Sequence, residues 1–177
     1  FKSKYNNFEL VQYDAVSKNS ILLGNEDSFG TSFIPTFNFS KAEVIVSFSA
    51  DFLGEWIDPS HARQYTANRK PENGKMSMHY QFESLLSTTG ANADKRIPIK
   101  PSEEPKYILG LYNHLLLLSG QSELSAVNTN HNSLIKDIAK SLYQNKSKSL
   151  VVSNNNDKNV QVIINAINKL LKNYGHT

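Results

Sequence analysis

The chain has 177 residues, 39% hydrophobic and 20% charged, with a net charge of +3 at pH 7, which fits one domain around one core. Its Lys and Arg are interspersed with acids, so no basic face for tracking phosphates is predicted and nucleic acid is not expected as a partner. There is no cysteine, which excludes disulfides, thiolate metal sites, iron–sulfur ligation and cysteine nucleophiles within these residues.

No run approaches the roughly 18 apolar residues that a membrane helix needs, so direct membrane insertion is not expected. The start carries no signal-peptide pattern. The chain opens on Phe1 and not on Met, and a fragment of a longer parent chain is the expectation.

Phe8 to Val16 alternates well enough to predict a strand, and Ser17 can cap a short helix through Leu23. Gly30 to Ser40 is rich in aromatics and turn formers without a period, which predicts an ordered connection packing Phe33, Phe37 and Phe39 on the core. Glu43 to Phe48 is nearly continuous in β-branched and aromatic residues, the pattern of a central strand covered on both faces. Asp58-Pro59 opens the next helix, to about Arg69, with Asp as cap and Pro at the first helical position.

Met78 to Phe82 reads as a third strand, and Ser84 to Asp94 as a small-residue loop. Arg96 to Lys100 makes a short fourth strand that Pro98 confines to a sheet edge. A helix follows, capped by Ser102 with Glu103 and Glu104 in its first turn, and Ile108, Leu111, Leu115 and Leu118 mark its buried face. Leu134 to Leu142 is a further amphipathic helix, Ser149 to Ser153 a fifth strand, and Val160 to Leu171 the last helix after an Asp157 cap. Strands alternating with helices predict an α/β fold: a single domain over 1–177 with a mostly parallel sheet of about five strands and helices on both faces, a Rossmann-like three-layer arrangement.

In such a sheet ligands bind at the carboxyl ends of the strands. The loop there, Ser49-Ala50-Asp51-Phe52, could meet a nucleoside phosphate, yet no glycine-rich phosphate loop is present, and Asp51 and Glu55 bring carboxylates. The same pair could do acid-base work, but such residues more often solvate a loop or cap a helix. The five histidines, His61, His79, His114, His131 and His176, lack metal-site spacing, and no G-x-S-x-G elbow occurs. No catalytic residue and no metal ligand is therefore assigned, and Trp56 and Tyr65 read as core.

Three stretches in order, SFSADFLGEWIDPSHARQY, MHYQFES and STTGANADKRIPIKPSEE, resemble the molybdopterin oxidoreductase (DMSO reductase-like) family. The resemblance is closest to the molybdopterin-like part of the iron–sulfur subunit of bacterial alternative complex III, the quinol:electron acceptor oxidoreductases, and runs from about Tyr5 to Leu118. It implies an electron-transfer role in a respiratory complex at the periplasmic face of the inner membrane, with the parent chain's other domains and the other subunits as partners. It also implies iron–sulfur clusters elsewhere in the parent chain. In cofactor-binding relatives this layer holds a guanine dinucleotide form of molybdopterin. The positions matching their contacts are Ser49, Asp51, Phe52, Glu83, Ser84, Asn92, Asp94, Ser102 and Glu103, and several depart from the binding pattern. Two readings follow from the resemblance: a scaffold that has lost the pterin, with no cofactor in this fragment and no activity of its own, or a molybdopterin guanine dinucleotide-binding domain of a molybdenum oxidoreductase.

Overall fold

The structure is a computed structural model that describes residues 3–5, 7–11 and 16–177. Four short apolar segments become strands β1 (Val44–Phe48), β2 (Met78–Glu83), β3 (Lys95–Pro98) and β4 (Ser149–Ser153). All pair in parallel in the order β3-β2-β1-β4, so β1 lies in the interior and β3 at an edge. Every residue of β1 and β4 is buried, as expected where both faces of a parallel sheet are covered.

Helices connect the strands: α1 (Asn19–Phe29) precedes β1, α2 (Ser60–Ala67) joins β1 to β2, and α3 (Thr88–Ala91) joins β2 to β3. The long return from β3 to β4 carries α4 (Glu104–Leu118) and α5 (Asn132–Gln144), and α6 (Lys158–Leu170) follows β4. One sheet face, with Val44, Val46, Phe48, Phe82 and Val151, packs on α4, α5 and α6. The opposite face, with Ile45, Leu150 and Val152, packs on Phe39, Phe52, Trp56 and Tyr65 of α2. Helix α1 sits against α6, and a methyl group on Gly24 would come within 2.6 Å of the Gln161 Cβ, so the close crossing needs glycine.

Several expectations are corrected. The sheet has four strands among the described residues, not five: residues 8–11 form no strand, and 12–15 of the expected Phe8–Val16 strand lie outside the described residues. The edge beyond β4 is closed by side chains instead. Asn168 accepts from Val151 N at 3.2 Å and donates to Val151 O at 2.7 Å, while Gln161 and Thr177 donate to Ser153 O and Ser149 O at 3.2 and 2.7 Å. These bonds occupy the backbone N–H and C=O of Val151 and the carbonyls of Ser149 and Ser153 on the outer edge of β4.

The first helix runs on to Phe29 before Gly30, at φ +74°, ends it. The loop expected over Ser84–Asp94 contains α3, whose start is capped by the Ser87 hydroxyl accepting from Gly90 N. Ser102 caps nothing, because Pro101–Glu103 forms a 3-10 turn and α4 begins at Glu104. The helix expected to open at Pro59 starts at Ser60 with Pro59 in the cap position, and Asp58 bonds just ahead of it, its Oδ1 accepting from Ser60 N at 2.7 Å. Phe39 is in the core as expected, whereas Phe33 is 40% exposed.

Candidate functional site

The chain leaves β1 toward β2 and β3 on one side and returns to β4 on the other, so the carboxyl ends of β1 and β4 form the topological switch point. Ser49 follows β1 with φ +54°, a left-handed conformation that is costly for a residue with a Cβ. Its N–H still donates to Phe82 O at 2.8 Å, and its hydroxyl donates to Glu104 Oε2 at 2.5 Å. Glu104, in the first turn of α4, is 3% exposed. Its other oxygen accepts from Asn155 Nδ2 at 3.1 Å and lies 3.5 Å from the Ser153 hydroxyl.

The space where this fold usually receives an anion is thus filled by a carboxyl group of the chain itself, bound to both strand ends and set at a helix start, where the dipole favours it. Beside it Lys18 donates to Asn154 Oδ1 at 2.6 Å, and burial lowers its pKa.

A second polar system covers the other sheet face. His79, Gln81 and Glu83 alternate along β2 and are buried. Tyr65 OH meets His79 Nδ1 at 3.1 Å, His79 Nε2 meets Gln81 Oε1 at 3.2 Å, and Gln81 Nε2 donates to Glu83 Oε2 at 3.2 Å. Glu83 also accepts from Ser87 Oγ and Arg96 Nε, both at 2.6 Å. Gly90 lies directly on the Glu83 carboxylate, leaving no room for a Cβ.

Asp51 holds the same short helix from the β1 side, its Oδ1 accepting from Thr89 N at 2.9 Å, while Leu53 N donates to Thr89 Oγ1 at 2.9 Å. Asp94 takes a two-pronged bond from Arg69 at 2.7 and 2.9 Å and accepts from His79 N at 2.7 Å; Asn92 O accepts from Tyr65 OH at 3.0 Å.

Burial sets the protonation of the ring groups of this system and hydrogen bonding that of its carboxylates. Burial pushes His79 down to about 4 and Tyr65 up to about 12, so both are neutral near pH 7. For Glu83, burial acts upward, but hydrogen bonds from Ser87, Arg96 and Gln81 outweigh it and leave the carboxyl below its ordinary value. Asp94 is lowered chiefly by the Arg69 hydrogen bonds.

Of the nine residues matched to cofactor contacts, Ser49 alone reaches the switch point through its side chain. Asp51 and Glu83 clamp α3, the Asn92 carbonyl holds Tyr65 of α2, Asp94 holds Arg69 just beyond that helix, and Phe52 is 1% exposed, its ring 4.3 Å from that of Phe39. Ser84 and Ser102 are exposed and Glu103 is half-buried. Glu55, offered as a partner for Asp51, is exposed. The residue that sequence reasoning missed is Glu104. Its signal was helical phase: it precedes Ile108 by four and Leu111 by seven, on the face whose other members are core.

The residues present do not fit a guanine dinucleotide. A pyrophosphate needs bare backbone N–H groups and positive charge, whereas this end of the sheet presents the Glu104 carboxyl group, a side chain at Ser49, Lys18 bonded to Asn154, and Arg96 already engaged by Glu83. Lys100 is exposed. Among the described residues no group of three or more His, Cys, Asp or Glu side chains is placed to hold a metal ion, and no helix is long and apolar enough to cross a membrane. Neither a protein-family model nor a curated protein matches the chain.

Proposed function

We propose that this chain is a scaffold domain of a molybdopterin oxidoreductase-like iron–sulfur subunit, in a form that has lost the pterin, serving a respiratory electron-transfer complex at the periplasmic face of a bacterial inner membrane. The family part of the proposal rests on the three sequence stretches described above, and the all-parallel sheet is the kind of layer such a domain needs. The observation that carries the scaffold reading is the Glu104 carboxyl group at the switch point, bonded to Ser49 and Asn155. A like charge about 4 Å from a phosphate costs roughly 4 kcal/mol at an effective dielectric near 20, close to a thousandfold in affinity.

On this reading the domain performs no chemistry. It offers a rigid body against which the parent chain's cluster-bearing domain and the other subunits are held; the clusters' cysteines must come from outside this chain, which has none. The test is elemental and pterin analysis of the purified full-length parent protein. Iron without molybdenum or pterin is expected. Stoichiometric molybdenum with pterin would restore the cofactor-binding alternative.

A further inference from the structure

Beside β4, on the face of the sheet that α2 covers, lies a cleft of about 670 Å³, within the size range of small-molecule sites. Leu150 and Val152 of β4, Ile164 of α6, Ile21 of α1 and Trp56 line it and are all at most 5% exposed. Its rim residues Phe29, Phe33, Ile34 and Tyr174 are between 40% and 46% exposed. Sealed lining under an open aromatic rim makes a deep pocket and not a flat docking face.

The lining carries almost no charge. Among the described lining residues the ionisable side chains are Lys169 and the Tyr174 phenol. The amides of Asn25, Asn165, Asn168 and Asn173 are engaged with one another and with backbone or hydroxyl groups. Among the described lining residues one buried side-chain donor has no hydrogen-bond partner, the indole Nε1 of Trp56, whose ring lies 5.8 Å from that of His61, where Nδ1 is likewise unpartnered. A buried N–H left without an acceptor is uncommon and costly.

The segment closing the cleft can yield to supply one. No backbone N–H from Thr31 to Asn38 donates to another described residue, and the segment is pinned by Asn25 Nδ2 donating to Phe33 O at 2.8 Å and by Phe37 stacked on Trp56 at 5.2 Å.

We infer that this cleft is a binding site for an uncharged, mainly apolar small molecule carrying one hydrogen-bond acceptor, which Trp56 Nε1 engages as the Thr31–Asn38 strap adjusts. The inference does not rest on the scaffold proposal: the cleft is walled by β4, α1 and α6 and, among the described residues, shares Ser153 with the switch point but not Ser49, Glu104 or Asn155.

Trp56 is the chain's single tryptophan, so binding is read directly from its emission. The probe is prodan, an uncharged naphthalene ketone, compared with the same fluorophore lacking the acyl group and with an anionic naphthalene sulfonate. Saturable one-to-one binding of prodan with quenching of Trp56 is expected, tighter than for either comparator. The rim variant Ile34→Asp, at an exposed position, should weaken it at least about tenfold, the scale of one favourable contact turned unfavourable. Trp56→Phe keeps an aromatic, though smaller, side chain and removes the donor, so it should abolish the preference for the ketone, read from the probe's own emission with the fold checked by thermal melting.

Absence of saturable binding would overturn the assignment, as would indifference to Ile34→Asp or a ketone preference that survives Trp56→Phe. Binding by the 177-residue chain but not by the full-length parent would also overturn it, by showing that a protein segment owns the cleft.

Discussion

The two faces of one four-stranded sheet are built on different principles. Toward α4, α5 and α6 the strands present Val44, Val46, Phe48, Tyr80, Phe82 and Val151, an apolar surface in which burial alone does the stabilising. Toward α2 and α3, β2 presents His79, Gln81 and Glu83, all buried and each hydrogen-bonded to the next. The first face tolerates any well-fitting apolar side chain. The second combines an apolar patch through Ile45, Leu150 and Val152 with this hydrogen-bonded row, and the row fixes the loops at the strand ends through Glu83, Asp51 and Asp94.

The largest effect expected from breaking this division is on the apolar face. Val46 is fully buried in the interior strand, and Val46→Asp should unfold the domain, because an unpaired buried charge costs several kcal/mol against a total stability of about 5–15. Circular dichroism melting decides it, and a variant that melts like the parent would remove β1 from the core.

On the polar face, Glu83→Leu leaves Ser87, Gln81 and Arg96 without their shared acceptor and should cost about 2–4 kcal/mol in urea unfolding. Gly90→Ala should destabilise through the same group, since its Cβ would collide with the Glu83 carboxylate. If both variants match the parent, the network is not a structural element.

A gentler probe of the same face is pH. His79 is held at about 4 against an ordinary 6.5, so above pH 6.5 both folded and unfolded chains carry it neutral and its contribution is complete. As pH falls from 6.5 toward 4 the unfolded chain takes up a proton that the folded chain refuses, and stability falls by up to about 3 kcal/mol. His61, also lowered chiefly by burial, acts in the same direction. Asp94 and Glu83 add their losses only at lower pH, as it drops below their unfolded values toward depressed folded ones. Unfolding curves of the parent and His79→Gln between pH 7 and about 4 should differ in slope; parallel curves would contradict the assignment.

The smallest effect belongs to apolar residues that neither face buries. Leu85 and Leu86 are 82% and 66% exposed after β2, and Leu85→Ser should shift stability by no more than about 0.5 kcal/mol.

The contrast also explains what could be read in advance. The apolar face writes itself into the sequence as the run Val44–Phe48, the segment Ser149–Ser153 and the stripes of α4, α5 and α6, because burial by period is a local property of the chain. The polar face leaves no such mark. His79, Gln81 and Glu83 look like the solvated half of an alternating strand, and only the arrival of Tyr65, Ser87 and Arg96 from elsewhere makes them core. The same holds for α3, which is four residues long and capped by Ser87 without any periodic stripe.

Alternation over Phe8–Val16 predicts a strand, but residues 8–11 form none and 12–15 lie outside the described residues. At the candidate site the loop Ser49–Phe52 was legible as a strand end. Its occupant Glu104 was not separated from Glu103, although the stripe through Ile108 and Leu111 distinguishes them.

The central claim is that Glu104 fills the place where a dinucleotide's phosphates would otherwise sit. Calorimetric titration of the purified chain with guanosine diphosphate tests it most directly. The account predicts no saturable heat from the unaltered protein. Micromolar binding, weakened by Ser102→Trp at the exposed turn two residues before Glu104, would contradict it.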